Sequence, residues 1–212
     1  MKAVIFDLDG VIIDSEPIYL QINKKVLHHF GIASSTEDFN QSVGMTTVGT
    51  FTMLKEKYQF PYTIEELVAY HHEVVWDTFT NLNAEPIDGI RELLTTLKEH
   101  KIPMAVASSS PKKVINVIIN KFELKEYFNY IVSGEEVSHG KPAPDIFLAT
   151  AKQLAIAPAD CVVIEDSKNG LIAAKKAGMT CIGFQNLNSG NQDLSQADLI
   201  VDAITEIDIF NF

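Results

Sequence analysis

The sequence predicts an α/β protein with a parallel sheet at its core and a separate helical segment near its N-terminus. Apolar runs rich in β-branched residues, each short enough to be one buried strand, recur along the chain. They are 3–6, 104–107, 161–164 and 181–184, with shorter candidates at 130–132 and 199–201. Helical patterns separate these runs, and this alternation favours parallel strands joined by right-handed crossovers.

Three helices are predicted between the strands. Apolar residues recur at helical spacing in 90–97 and in 114–122. The third helix is predicted from Lys168 to Ala177, because Ser167 suits the N-cap position and Gly178 follows the end of the pattern.

One stretch breaks the alternation of strands and helices. From about 15 to 81 the sequence has helical patterns, the clearest in 18–30 and 67–75, and no convincing strand. Because this stretch lies between the first strand and the rest of the sheet, we expect a separate helical domain there. The predicted borders give an α/β core of 1–14 and 82–212 and a helical domain of 15–81.

Composition limits the kinds of partner. The chain has 212 residues, 46% of them hydrophobic, which is enough for one substantial core. Its formal net charge is −11 and no cluster of Lys and Arg stands out, so we expect no nucleic-acid binding. Cys161 and Cys181 are too few for a disulfide framework, and we expect buried thiols in a reducing compartment.

The sequence contains no recognisable targeting segment. Asp7 and Asp9 interrupt the first apolar run almost at once, which argues against a secretory signal. No stretch approaches the roughly 18 apolar residues of a membrane helix. We therefore expect a soluble cytoplasmic protein that binds no membrane. We also expect a monomer or a weak dimer.

Polar residues follow the predicted strands where the strands end. They are Asp7, Asp9, Ser108, Glu165 and Asp166, and Lys141 lies in a loop before another helix. In an open parallel sheet, ligands bind beyond the carboxyl ends of the strands. Carboxylates, a hydroxyl and one cation suit a hard metal ion and a phosphate group better than a redox cofactor.

Each of these groups alone has an ordinary structural explanation. The stretch 7–10 can be a strand that runs into a tight turn, and it fails as a calcium loop because Val11 and Ile18 stand where ligands are needed. The stretch 108–111 can be a helix-capping loop, 165–167 can be a helix start, and the lysine can be solvated. The functional signal is their joint occurrence in this order.

Four motifs carry a resemblance to a known family. They are Phe6-Asp7-Leu8-Asp9-Gly10-Val11, Ala107-Ser108-Ser109-Ser110, Gly140-Lys141-Pro142-Ala143-Pro144-Asp145 and Ile164-Glu165-Asp166-Ser167. In this order they resemble the signature motifs of the haloacid dehalogenase superfamily. Within it the chain resembles the β-phosphoglucomutase-like phosphatases, with Asp14-Ser15-Glu16-Pro17 in the common phosphatase form. The resemblance reaches from near the start of the chain to at least Gly178. It implies a Rossmann-like parallel-sheet core with a small all-helical cap domain inserted after the first strand.

The resemblance also assigns catalytic and metal-binding roles. Asp7 would be the nucleophile that attacks phosphorus, and Asp9 would protonate the leaving oxygen and later deprotonate water. The presence of Asp9 argues against dehalogenation, since a halide needs no proton. Mg²⁺ would be held by the Asp7 carboxylate, the Asp9 backbone carbonyl and Asp166, with Glu165 helping directly or through water.

Phosphate binding is the remaining role that the resemblance implies. Ser108 and the amide that follows it, at Ser109, would bind phosphate oxygens. Lys141 would neutralise negative charge between the nucleophile and the phosphate. Together these roles predict a magnesium-dependent phosphatase that acts on a small phosphorylated metabolite such as a sugar phosphate.

The main alternative is a β-phosphoglucomutase, which uses the same core motifs. Aligned with the mutase, this chain has Tyr19 in place of a histidine and Thr47 in place of a phosphate-binding arginine, while Trp76 falls near a substrate-contacting lysine. The stretch 31–54 contains no Arg or Lys at all, which disfavours a second phosphate site. Trp76 can line the rim of the pocket or pack within the cap. A non-catalytic binding protein on the same fold is a second alternative, disfavoured because every motif residue is retained.

Overall fold

The structure is a computed structural model that describes residues 1–33 and 46–211. The chain divides into two compact units, one made of Met1–Asp14 and Asn83–Phe212 and the other of Ser15–Leu82. The first unit is an α/β core and the second is helical, so the predicted fold class is confirmed. That each unit is an independent domain, with the borders 1–14, 15–81 and 82–212, stays a prediction.

The helical unit contains three helices in its described residues. They are α1 (Glu16–His29), α2 (Thr47–Tyr58) and α3 (Ile64–Thr80). Helices α1 and α3 pack against each other through apolar faces that include Val26 and Val74. Thr63 and Glu66 form a capping box at the start of α3, because each side chain binds the backbone N–H of the other residue.

The described residues of the α/β core contain six parallel strands in one sheet. In chain order they are β1 (Ala3–Phe6), β2 (Met104–Ser108), β3 (Tyr130–Ser133), β4 (Cys161–Glu165), β5 (Thr180–Phe184) and β6 (Leu199–Val201). Their order across the sheet is β3-β2-β1-β4-β5-β6. The strands β1, β2 and β4 are buried along their whole length, which explains why they are continuous apolar runs. Every strand predicted from such a run is confirmed.

Four longer helices belong to the described part of the core. They are α4 (Ile90–Glu99), α5 (Lys112–Lys121), α6 (Asp145–Leu154) and α7 (Lys168–Lys176). Short 3-10 helices lie at Lys125–Tyr127, Gly134–Glu136, Pro158–Asp160, Ile204–Glu206 and Ile209–Asn211. The predicted cap of α7 is confirmed, since Ser167 Oγ accepts a hydrogen bond from the N–H of Gly170 at 3.0 Å. None of the described helices is long and apolar enough to cross a membrane.

One buried cluster joins the sheet to α6 and α7. Ile5 and Val163 on the sheet belong to it together with Phe147 of α6 and Leu171 of α7. Burying a side chain of this size contributes about 1.5–3 kcal/mol. The packing therefore fixes two helices that begin close to the candidate site, one just after the Lys141 loop and one just after β4.

The strand register brings the predicted site residues to one edge of the sheet. Phe6 of β1 pairs with Val106 of β2 and with Ile164 of β4. Asp7 and Glu165 each follow these paired residues by one position. Because parallel strands end at the same edge, their carboxylates are brought side by side.

Candidate active site

The centre of the site is an ion-pair cluster around Lys141. Its Nζ atom donates to Asp7 Oδ1 at 2.7 Å, to Glu165 Oε1 at 2.6 Å and to the carbonyl oxygen of Ala107 at 3.2 Å. Only 7% of the Lys141 side chain, 9% of Asp7 and none of Glu165 is exposed. Lys141 therefore neutralises part of the negative charge that β1 and β4 bring together.

A third buried carboxylate adjoins this cluster. Asp7, Glu165 and Asp166 each offer one oxygen atom, and these three atoms lie within 4.8 Å of one another. When all are ionised, three carboxylates and the single ammonium of Lys141 leave two negative charges in a buried place. A divalent cation would balance this charge, and oxygen atoms are the ligands that Mg²⁺ prefers.

Burial and mutual repulsion change the ionisation of these groups. Burial, joined by the charges of neighbouring carboxylates, raises the pKa of Asp7 well above its ordinary value, although Lys141 opposes the change. The pKa of Asp166 is raised to about 7 by burial and then by the charge of Glu165. Burial alone would lower the pKa of Lys141, but the carboxylates of Asp7 and Glu165 raise it above its ordinary value. A bound cation would offset this repulsion among the carboxylates.

Two glycines leave room for the clustered carboxylates. A Cβ atom at Gly10 would lie 1.9 Å from Asp166 Oδ2, and one at Gly170 would lie 1.7 Å from Glu165 Oε1. Gly10 also has a φ of +76°, which favours glycine. The buried charge, the oxygen donors and the space left by both glycines together fit a Mg²⁺ ion.

Asp9 lies against the second motif. Ser110 Oγ donates to Asp9 Oδ2 at 2.7 Å, and Ser108 Oγ donates to the same oxygen at 3.3 Å. The other oxygen, Oδ1, is buried and has no hydrogen-bond partner within the described residues. Ser133 Oγ on β3 donates to the carbonyl of Ser110 at 2.7 Å and so holds this loop. One oxygen of Asp9 is thus held by two hydroxyl groups, while the other has no such contact among the described residues. Ser109, the predicted source of a phosphate-binding amide, is exposed in the same loop.

Two hydroxyl groups of the site were missed by reasoning from the sequence. Ser110 stands within a recognised motif, but nothing in the motif shows that its side chain reaches Asp9. Ser189 lies in the segment after β5, and its Oγ donates to Asp166 Oδ2. The position of this segment beyond a strand's carboxyl end is the one signal that could have drawn attention to it.

Comparison with protein families decides the wider relationship. A family model described as haloacid dehalogenase-like hydrolase matches residues 4–184, a range that contains all four motifs. The chain belongs to this family. The predicted resemblance is therefore confirmed, and the cluster at the ends of β1 and β4 is the part of this haloacid dehalogenase-like hydrolase in which its motifs meet.

Relatives of this haloacid dehalogenase-like hydrolase carry both phosphatase and mutase names. The phosphorylated carbohydrates phosphatase of Thermotoga maritima is 35% identical over 193 residues, covering 90% of this chain and 88% of that protein. The β-phosphoglucomutase of Bacillus subtilis is 33% identical over 212 residues, covering 95% and 89%. The bifunctional riboflavin kinase/FMN phosphatase of Arabidopsis thaliana is 35% identical over 207 residues, covering 97% of this chain and 54% of that protein. This chain thus spans about half the length of the plant relative.

A solved structure also resembles this chain in fold and sequence. The crystal structure of a β-phosphoglucomutase from Clostridium difficile matches with a TM-score of 0.75 and 27% identity, covering 100% of this chain and 95% of that one. This haloacid dehalogenase-like hydrolase therefore shares its fold with a mutase, so the fold does not separate mutases from phosphatases.

The predicted pocket residues of the cap lie within the helical unit. Tyr19 is on α1 and contacts Phe79 of α3 edge-on, with 5.6 Å between the ring centroids. Thr47 is the first residue of α2. Trp76 is on α3 with 41% of its surface exposed, so it is not a core residue of this unit. The substrate-contacting roles of these three residues stay predictions.

Proposed function

We propose that this chain is a magnesium-dependent phosphatase that hydrolyses a small phosphorylated metabolite through an aspartyl-phosphate intermediate. The observation that carries this proposal is the buried cluster of Asp7, Glu165 and Asp166 around Lys141. It combines a carboxylate nucleophile at a strand end with two further carboxylates for a cation and one ammonium for the phosphate. The membership of the hydrolase family supports the same reaction class.

The first half of the proposed reaction forms the covalent intermediate. A carboxylate oxygen of Asp7 forms a bond to phosphorus while the bond from phosphorus to the ester oxygen breaks. Asp9, protonated on Oδ1, gives its proton to that leaving oxygen, while Ser110 and Ser108 hold Oδ2. Lys141 stays beside Asp7 and compensates the negative charge of the phosphoryl oxygens.

The second half returns the site to its starting state. Asp9, now ionised, takes a proton from a water molecule whose oxygen forms a bond to phosphorus. The bond between phosphorus and Asp7 breaks, which releases inorganic phosphate and restores the Asp7 carboxylate. Asp9 is again protonated and ready for the next ester.

The metal would be held at the same edge of the sheet. We propose that the Asp7 carboxylate, the Asp9 backbone carbonyl and Asp166 hold Mg²⁺, with Glu165 helping to bind it. When bound, Mg²⁺ would stabilise negative charge on the phosphoryl oxygens and reduce repulsion between the carboxylates.

Hydrolysis is favoured over phosphoryl transfer between positions of a sugar. A mutase must hold a second phosphate group, whereas Tyr19 and Thr47 bring no positive charge to the aligned positions of the cap. Phosphatases of phosphorylated carbohydrates are among the relatives, so a sugar phosphate is the first substrate class to test. The mutase stays the second candidate because a relative of similar identity carries that name.

The cellular setting is part of the same proposal. We infer a cytoplasmic enzyme, because both cysteines are buried free thiols. We infer that it acts on small metabolites as a monomer or a weak dimer and binds neither nucleic acid nor membranes.

A screen of phosphorylated metabolites tests the proposal. Purified protein is incubated with sugar phosphates, nucleotides and FMN, with MgCl₂ or with EDTA, and free phosphate and product isomers are both measured. We expect phosphate release that EDTA abolishes and added Mg²⁺ restores. Full activity in metal-free protein contradicts the metal requirement, and the absence of any turnover across the panel supports the non-catalytic alternative.

A further inference from the structure

The segment after β5 makes a set of hydrogen bonds to the loops of the site. Asn186 Nδ2 donates to the carbonyl of Gly10 at 3.0 Å, and Asn188 Nδ2 donates to Asp14 Oδ2 at 2.6 Å. Both acceptors belong to the loop that follows β1. The segment is therefore tied to the loop that carries Asp9, although none of the four motifs includes it.

Ser189 is the residue of this segment that reaches the carboxylate cluster. Its Oγ donates to Asp166 Oδ2, and only 5% of the residue is exposed. The Ser189 backbone is held at both ends, because its N–H donates to the carbonyl of Asn186 at 3.1 Å and its carbonyl accepts from Gln192 Nε2 at 2.9 Å. Ser189 is thus a buried donor on a fixed backbone.

The same segment is also tied to the helix that follows Asp166. Gln192 Oε1 accepts a hydrogen bond from the backbone N–H of Lys168, the first residue of α7, at 3.0 Å. A Cβ atom at Gly10 would lie 1.9 Å from Asp166 Oδ2 and 2.9 Å from Ser189 Oγ. Gly10, Asp166 and Ser189 are therefore in close contact, which leaves the carboxylate little freedom to turn.

We propose that Ser189 is a positioning residue that fixes the Asp166 carboxylate in the orientation needed to bind the divalent cation. The proposal rests on the proposed function, since it takes Asp166 as a ligand of Mg²⁺. A carboxylate next to Asp7 and Glu165 is repelled by both, and a hydroxyl donor offsets this repulsion at one oxygen. Side chains that orient metal ligands in this way commonly change metal affinity about 10- to 100-fold when they are removed.

Direct measurement of metal binding tests this role. The Ser189→Ala variant keeps both backbone hydrogen bonds of residue 189 and loses only the hydroxyl donor. We expect its dissociation constant for Mg²⁺, measured by calorimetry on the full chain without substrate, to rise about 10- to 100-fold. At saturating Mg²⁺ we expect kcat to stay within about threefold of the unsubstituted protein, because the ligands themselves remain.

Two further variants separate positioning from a general loss of structure. Ser189→Thr keeps a hydroxyl and should restore most of the Mg²⁺ affinity. Ser195→Ala is a matched control, because Ser195 Oγ also donates to an aspartate, Asp193 Oδ1 at 2.7 Å, but in an exposed place. We expect this control to leave the Mg²⁺ dissociation constant unchanged.

The possible results distinguish this inference from the proposed function. If the unsubstituted protein binds Mg²⁺ and Ser189→Ala binds it equally well, the positioning role is wrong and the phosphatase proposal is untouched. A weaker affinity that Ser189→Thr fails to restore, or that Ser195→Ala shares, also overturns the role. If the unsubstituted protein neither binds Mg²⁺ nor releases phosphate, the proposed function fails first, and this inference fails with it.

Discussion

The buried Asp7 carboxylate is the single group on which the proposed chemistry depends most. Asp7→Asn keeps the size of the side chain but replaces the attacking oxygen by an amide and removes the charge that faces Lys141. We expect the variant to fold and to lose activity by at least about a thousandfold in phosphate-release assays.

A matched control for Asp7→Asn is Asp88→Asn, which makes the same chemical change at an exposed position. We expect this control to keep full activity. Retention of more than about a tenth of the activity in Asp7→Asn would contradict covalent catalysis by this residue.

The burial of His71 in the helical unit is expected to make the folded protein less stable at low pH. It is buried against Phe51, its Nδ1 lacks a hydrogen-bond partner among the described residues, and burial lowers its pKa from 6.5 to about 4, with a smaller effect of His72. Between these two pH values the unfolded chain binds a proton that the folded protein does not bind. We therefore expect the free energy of unfolding to fall as pH decreases from about 6.5 to 4, by at most about 3 kcal/mol from this group.

The contribution of His71 is measured by urea unfolding at a series of pH values. His71→Leu removes the titrating group, so its stability should depend less on pH across this window. His28→Gln is the control, because His28 is exposed on α1. An equal pH dependence in His71→Leu and the unsubstituted protein would show that another group causes the acid sensitivity.

At the scale of elements, the start of α7 connects helix geometry with the carboxylate cluster. Ser167 caps the helix and also donates to Glu165 Oε2 from its N–H and its Oγ, both at 2.9 Å. Gly170 lies in the first turn, directly against the Glu165 carboxylate. The first turn of α7 therefore contains the helix cap and also leaves space for the Glu165 carboxylate.

Gly170→Ala tests this use of space. The added Cβ would meet Glu165 Oε1 at 1.7 Å and so must displace the carboxylate from Lys141. We expect Mg²⁺-dependent phosphate release to fall by roughly a hundredfold, because a displacement of about 1 Å in an active site can have an effect of this size.

The comparison for Gly170→Ala is Gly140→Ala, whose added Cβ would meet nothing within 4 Å. We expect the Gly140 variant to keep its activity although it immediately precedes Lys141. Equal activity in both variants would mean that Glu165 tolerates displacement.

The elements also differ in how well their sequences predict them. The strands β1, β2 and β4 are buried on both faces, so their apolar runs are unambiguous. The helix α2 buries only Thr50, Phe51 and Leu54 in its twelve residues and contains Gly49, so its pattern is weak and does not predict a separate helix.

At the scale of the whole molecule, charge favours hydrolysis over the mutase reaction, in which the phosphate group moves between two positions of a sugar. The chain carries a net charge of −11, and a second phosphate dianion would meet little compensating charge at Tyr19 and Thr47. We expect β-glucose 1-phosphate, if turned over at all, to give inorganic phosphate rather than glucose 6-phosphate. We also expect no stimulation by glucose 1,6-bisphosphate.

A coupled assay with glucose-6-phosphate dehydrogenase measures this outcome. NADPH formation reports glucose 6-phosphate, and a parallel assay reports free phosphate from the same reaction. Rapid NADPH formation that depends on the bisphosphate, with little free phosphate, would establish the mutase and overturn the phosphatase proposal.

The fold class, the strands and the motif residues can be predicted from the sequence, because each depends on local order along the chain. Buried strands need continuous apolar runs, and the residues after them, Asp7 and Glu165 among them, could be named from their position alone. Which side chains are in contact, by contrast, depends on the tertiary structure. The pairing of β1 with β4 brings Asp7 and Glu165 side by side, and the fold brings Lys141, from the loop before α6, to both carboxylates. The fold likewise brings Ser110 to Asp9 and Ser189 to Asp166. Such contacts join residues up to 134 positions apart, and no pattern of neighbouring residues encodes a distance of that kind.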